Sequence, residues 1–285
     1  MKTRTILAAA LLSMTVFASA DDLYGVSHGS NNIDTFYKIN TTTGAATAQF
    51  TFSGNNSINT SGLTYNPVTQ RFLTVQTLSA FSSQLVEINP FSNTATVVST
   101  GIPSAFFEGI EWSGGHGGLV VSHGPGGFFS GSLALLNNSY GLISNNNATG
   151  MGDGDNLFLD GSGDLNLVDD NFNAGAHRNK LFNPFGVYSS ATYGSNIYSF
   201  AGFDVDYDHA WKVDENRLFL TRLNSLAWVN AAGTAITSIG GYGASTDGTL
   251  IQIRGITAAR VVPEPGSFIA LGLGGLALIR SRKKA

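Results

Sequence analysis

The stretch Gly109-Ile110-Glu111-Trp112-Ser113-Gly114-Gly115-His116-Gly117-Gly118-Leu119-Val120-Val121-Ser122-His123 consists of two apolar runs joined by a glycine-rich turn. Two short apolar runs around glycines read as a β-hairpin, because Gly takes φ > 0 without the steric cost other residues meet. The motif recurs. Gly62-Leu63-Thr64-Tyr65, Gly109-Ile110-Glu111-Trp112, Asn156-Leu157-Phe158-Leu159, Gly202-Phe203-Asp204-Val205 and Gly255-Ile256-Thr257-Ala258 begin at spacings of 47, 47, 46 and 53. The first four lead through polar turns into Phe72 to Val75, Leu119 to Val121, Leu165 to Val168 and Leu218 to Leu220. A second element lies between these copies. Asn40, Asn89, Asn137, Asn183 and Asn230, spaced 49, 48, 46 and 47, each end an apolar run and open a turn.

Four short strands in a unit of about 47 residues match the size of a β-propeller blade. The fifth copy, at Gly255, has no partner downstream, whereas Leu23 to Val26 has no innermost neighbour upstream. The two ends are therefore expected to share one blade. The N-terminal strands supply its outer three members and Gly255 to Val261 its innermost, a Velcro closure that hides two sheet edges. The expected fold is all-β, a five-bladed β-propeller over residues 21–262. A sandwich has no five-fold register, and a β-helix has a shorter period.

Composition agrees with a turn-rich β protein. The 285 residues include 35 Gly and only 12% charged residues. Cys is absent, which excludes disulfides, thiolate metal sites and Cys nucleophiles. Residues 21–262 hold nine basic and eighteen acidic residues, a net charge of −9. Such a surface has no electrostatic footprint for nucleic acid.

Both termini read as targeting segments. Lys2 and Arg4, the apolar run Ile6 to Phe17 and Ala18-Ser19-Ala20 form the basic, apolar and small-residue regions of a signal peptide, residues 1–20. The expected partners there are a secretion translocon and a signal peptidase. At the other end Pro263-Glu264-Pro265-Gly266 precedes the apolar run Ser267 to Ile279 and the basic cluster Arg280, Arg282, Lys283 and Lys284. The run is shorter than the ~20 residues of a self-sufficient span. The basic cluster is expected to stay cytoplasmic as its anchor.

These three parts, in this order, resemble the PEP-CTERM sorting signal, over residues 263–285. The resemblance implies a transmembrane sorting helix and recognition at Pro263, Glu264 and Pro265 by an exosortase-type transpeptidase. Release or re-anchoring at the surface of an exopolysaccharide-producing Gram-negative cell would follow. It implies nothing about the domain ahead of the tag.

By analogy with other propellers, the ligand mouth is expected where the chain enters the innermost strands. The repeat register places His28, Thr77, Glu108, His123, Asp155, Asp170, Arg222 and Arg254 there, with Phe107 or Trp112 to stack on a sugar. Histidines and carboxylates at one mouth suit a divalent metal or a hydrogen-bonded sugar. Strand ends at a water-filled funnel are also polar for solvation alone. Asp153, Asp155, Asp160 and Asp164 form an acidic turn-rich stretch that would take Ca²⁺, although Asp in such places also makes local Asx-turns. Asp204, Asp206 and Asp208 alternate along an expected strand and should share a partly exposed face. His116, His177 and His209 are isolated by register and read as surface or packing residues. No Walker loop, G-x-S-x-G or H-E-x-x-H motif occurs. No catalytic residue and no resident cofactor is assigned. The expected function is an extracellular binding or structural module for polysaccharide or an envelope protein. The alternative is a secreted propeller hydrolase with its site at the central mouth, either a metal-dependent lactonase or a glycosidase whose three carboxylates would be Glu108, Asp155 and Asp170.

Overall fold

The computed structural model describes residues 21–261 except 30–31, 55–58, 80–81, 99, 101, 103–105, 125–130, 147–153, 170–176, 183, 186–188, 193–207, 223 and 231–234. The signal-peptide and sorting-tail expectations fall outside the described residues. So do Asn183, Asp153, Asp170, Asp204, Asp206 and the expected strand at 202–205.

Twenty strands form five four-stranded antiparallel sheets. The first blade holds β1 (Asp22–Gly29), β2 (Ile33–Ile39) and β3 (Ala46–Ser53). The second holds β4 (Asn59–Asn66), β5 (Arg71–Ser79), β6 (Ser82–Asn89) and β7 (Thr94–Val98). The third holds β8 (Phe106–Ser113), β9 (Gly118–Gly124), β10 (Ser132–Leu136) and β11 (Leu142–Asn146). The fourth holds β12 (Gly154–Leu159), β13 (Leu165–Asp169), β14 (His177–Phe182) and β15 (Ser189–Thr192). The fifth holds β16 (His209–Lys212), β17 (Arg217–Arg222), β18 (Ser225–Val229) and β19 (Ile236–Gly241). The last strand, β20 (Gly255–Ala259), completes the first blade by pairing with β1, Leu23 opposite Ala258 and Val26 opposite Gly255. The fold is thus the expected five-bladed propeller, closed by its two ends.

One assignment moves. The strand that pairs with β17 is His209–Lys212, not the stretch seven residues earlier, so His209 lies in the innermost strand. The physical reason is the tightness of the next turn. Asn216 N–H donates to the Val213 carbonyl at 3.2 Å and Asn216 adopts φ 52°, which joins β16 directly to β17.

The apolar runs explain why the blades stack. Five buried clusters fill the five inter-blade spaces; Leu73, Leu85, Ile110 and Leu136 belong to one, and Leu23, Phe219, Tyr242 and Ile256 to another. In β5 the consecutive residues Phe72 to Gln76 are all buried, because a second strand is covered by blades on both faces. Burying each large aliphatic or aromatic side chain stabilises by roughly 1.5–3 kcal/mol. The recurrent asparagines close the turns between third and fourth strands. Asn40 Oδ1 accepts from Thr42 and Thr43, Asn89 from Phe91 and Ser92, Asn137 from Ser139 and Gly141, and Asn230 from Ala235. Those of Asn40, Asn89 and Asn137 are Asx-turns, which Asn forms because its carbonyl reaches its own amide two residues downstream, whereas Asn230 reaches an amide five residues on.

Candidate functional site

The innermost strands β20, β4, β8, β12 and β16 each touch the next and enclose a central channel. The end where the chain enters these strands is the upper end here; the end where it leaves is the lower. Antiparallel order places the turns between first and second, and between third and fourth, strands at the lower end.

At mid-height the channel is drawn tight by the repeated glycines. A Cβ on Gly109 would fall 2.8 Å from the Leu157 backbone nitrogen, and one on Gly255 would fall 2.7 Å from the Gly62 carbonyl carbon. Gly62 also takes φ +68°, where a side chain is strained. The opening glycines of the three copies that have one among the described residues, Gly62, Gly109 and Gly255, are therefore inter-blade contacts. Thr64 Oγ1 accepts the Trp112 N–H at 2.8 Å, a further bond from blade to blade.

Asp208 ties this girdle together. It is 1% exposed, and its Oδ2 accepts the N–H of Leu63 at 3.0 Å and of Ile256 at 2.7 Å. Its Oδ1 accepts the N–H of His209 at 2.9 Å. One carboxyl thus joins the innermost strands of three blades. The expected partly exposed face is overturned for Asp208: three backbone donors replace the water that alternation along an open strand would have required. Burial pushes its pKa up to about 8 against the opposing pull of those N–H donors.

Below the girdle a cavity of about 370 Å³ is lined from all five blades. Its aromatic wall comprises Tyr65, Trp112, Phe158 and Trp211. Phe158 stacks on the His209 ring at 4.8 Å, which accounts for His209 as a packing residue, 2% exposed. The Trp211 indole lies across Gly161, where a Cβ would fall 2.3 Å from Cζ2, so only glycine fits there. Glu111 carries the acidic group of the wall. Its side chain is partly accessible from the cavity, yet its carboxyl sits deep, and burial raises its pKa well above the ordinary value. Asp208, whenever it ionises, adds to the rise, and a hydrogen bond from Thr64 opposes it. Burial therefore favours the protonated form of Glu111, which can donate as well as accept.

Of the eight residues expected at a mouth, Asp170 lies outside the described residues and the other seven map to the upper end, away from this cavity. Thr77 ends β5 and is buried. Glu108 lies early in β8 and Arg222 ends β17, both partly buried. Arg254 precedes β20, its N–H donating to the Val26 carbonyl at 3.0 Å. His123, 3% exposed, engages Asn145 Oδ1 through Nε2 at 2.9 Å, and burial lowers its pKa. His28 is opposite Asp34 in the β1–β2 register, and Asp155 lies within β12 at a register shift; neither side chain is described. Asp34, absent from the expected set, is fully buried at this end and accepts from Gln76 Nε2 at 2.6 Å, and Gln84 in turn donates to Gln76 at 2.7 Å. Register thus brings the expected residues to one end without bringing them onto the cavity.

The Asp-rich stretch behaves locally where it is described. Asp160 accepts from Ser162 and Asp164 N–H, and Asp164 pairs with Lys180. Among the described residues no group of three or more His, Asp or Glu is placed to hold a metal ion. Of the other expected isolated histidines, His116 bonds Ser113 through Nδ1 at 2.7 Å. Of the two aromatics expected to stack on a sugar, Trp112 lines the cavity and Phe107 is core, 3% exposed. Sequence reasoning missed Glu111 as a site residue although it stood in the repeat. The available signal was an acid inside an apolar innermost strand.

Residues 261–283 match the PEP-CTERM protein-sorting motif, which marks the chain as exported and sorted through membrane anchoring by an exosortase. No curated protein matches the chain. Among solved structures it is similar to TolB from Acinetobacter baumannii (11% identity, 84% of this chain and 54% of that one, TM-score 0.48). It is also similar to a protein of unknown function from Bacteroides thetaiotaomicron (12% identity, 76% and 56%, TM-score 0.50). A third is the periplasmic gluconolactonase PpgL of Pseudomonas aeruginosa (12% identity, 77% and 82%, TM-score 0.43). The chain spans about half the length of the first two. At these identities the similarity is one of fold.

Proposed function

We propose that this protein is an extracellular binding module of the exopolysaccharide or biofilm matrix, which holds a neutral sugar unit of a polysaccharide in its lower cavity. In this reading residues 1–20 are removed on export, residues 21–262 form the working domain, and residues 263–285 deliver it to the cell surface. The observation that carries the reading is the composition of the cavity wall. Partly exposed Tyr65 and Trp211 offer flat apolar faces, while Glu111 supplies a carboxyl whose protonated form burial favours. Sugars have this dual character, with apolar C–H faces and a rim of hydroxyls.

The test is calorimetric titration of the full chain in detergent with neutral oligosaccharides. Trp211→Ala weakens binding at least tenfold, about 1.4 kcal/mol. Glu111→Gln, which keeps a donor and an acceptor, stays within a few-fold of wild type, and Glu111→Ala does not. Binding that ignores Trp211→Ala but falls in His123→Ala or Arg222→Ala moves the site to the upper end. No binding of any sugar rejects the reading in favour of an envelope-protein partner. A secreted hydrolase is the second reading, favoured by one feature: a carboxyl whose pKa burial raises, beside a sugar-sized cavity, has the environment a general acid requires. Release of product from the same oligosaccharides, lost in Glu111→Gln, would support it.

A further inference from the structure

The sorting tail leaves the domain from a defined place. Its last described residues follow β20 directly, and β20 lines the cavity with Thr257 and Ala258. Arg260 is pinned by Asp21 at 3.4 Å, and Val261 packs into the cluster that includes Tyr65, itself a wall residue of the cavity. The tail therefore roots beside the cavity rim, at the lower end. Five residues, 262–266, separate Val261 from the apolar run that begins at Ser267, and two of them are proline. Such a tether reaches at most about 20 Å, since a residue spans no more than ~3.6 Å. A blade strand of eight residues is itself about 26 Å long at ~3.3 Å per residue. Rooted at the lower end, the tether is too short to pass around the domain and let it present its upper end to the bilayer.

The lower face has the chemistry of a surface that meets lipid. Val68 and Val213, at the first-to-second turns of the second and fifth blades, are 65% and 70% exposed, and Phe91, at a third-to-fourth turn, is exposed as well. Acidic groups beside Val213 and on the fourth blade's lower turn meet cations: Lys212 pairs with Asp214 and Glu215, and Lys180 with Asp164. Apolar tips on a charge-compensated face suit the interfacial region of a bilayer.

We infer that the lower face docks on the membrane that holds the tail, so that the central cavity opens toward the bilayer while the tail is intact. A ligand gains the cavity when the domain has parted from the bilayer. The inference rests on the membrane-anchored sorting that the C-terminal motif marks, and not on the identity of the ligand.

The chain has no cysteine, so single-cysteine variants report one site each. Val68→Cys and Val213→Cys probe the lower face, and Asn224→Cys, exposed at the second-to-third turn of the fifth blade, probes the upper. Each full-length variant is reconstituted in phosphatidylethanolamine–phosphatidylglycerol vesicles with the domain outside. It is labelled with a membrane-impermeant maleimide, and rates are normalised to the unfolded chain. Positions 68 and 213 should react about tenfold more slowly than 224, as expected of groups seated at the interface. A twenty-residue Gly/Ser spacer between Val262 and Pro263 should restore both. Equal rates at all three positions, or protection that survives the spacer, overturns the inference. Flotation is read separately: a chain that does not float with the vesicles removes the anchoring premise and the docking with it. Sugar titration in detergent is unaffected by either result.

Discussion

The two ends of the central channel are built from the same repeat and differ in what their polar groups do. At the upper end, several of the described ones engage each other. Asp34, Gln76 and Gln84 form a chain of hydrogen bonds, and His123 meets Asn145. At the lower end Glu111 looks into a cavity between aromatic rings, with Asp208 and the glycines closing the channel above it. Residue type alone therefore does not tell which polar groups pair with one another and which face open space. The cost of leaving a buried polar group unpaired is what enforces the first arrangement.

The comparison can be broken first at the girdle that separates the ends. Asp208→Ala leaves the Leu63 and Ile256 amides buried without an acceptor and should cost on the order of 3–5 kcal/mol, read by urea unfolding. Asp208→Asn keeps an acceptor and should cost far less. If the two variants are equal, the carboxyl is not what joins the blades. Gly109→Ala comes next. Its Cβ meets backbone, which cannot swing aside, so the innermost strands must part at about 1–3 kcal/mol, whereas Gly114→Ala in the open hairpin turn should stay within about 0.5 kcal/mol.

A pH series sharpens the same contrast. Asp208 titrates at about 8 when folded and near 3.9 when unfolded. Between these values the native state keeps a proton that the unfolded chain has released. Stability should therefore fall as pH rises from about 4 to about 8, by on the order of 1 kcal/mol per unit at most, and level off above. Asp208→Asn should flatten much of that slope. The raised pKa of Glu111 acts in the same direction, so Glu111→Gln should remove a further part. A profile unchanged in both variants would show that neither acid is held protonated. The smallest effect belongs to the rim: Asn89→Ala loses one Asx-turn and should cost about 1 kcal/mol, with no change in the pH slope.

Much of this architecture was legible before any coordinates. A 47-residue period with an Asn-capped turn predicts blades, and the unmatched Gly255 and Leu23 segments predict the closure that β20 and β1 make. Asp160, read as an Asx-turn former, is one. The fifth blade was harder. Gly202-Phe203-Asp204-Val205 imitates the repeat, and the strand paired with β17 begins at His209 because the turn through Asn216 sets the register. A hairpin's register is decided by its turn, and the look-alike segment sat seven residues upstream of it.

What the sequence by itself determined is therefore local or periodic: the C-terminal sorting motif, and the blade count, ring closure and turn chemistry that follow from a repeat of about 47 residues. What only the tertiary structure decided is which polar groups are buried, which titrate abnormally and which end of the channel holds the cavity. Asp208 bonds an amide 145 residues away, and Glu111 owes its raised pKa to burial within that same closed ring. Desolvation depends on everything that surrounds a group, and that enclosure exists only once five distant segments have met.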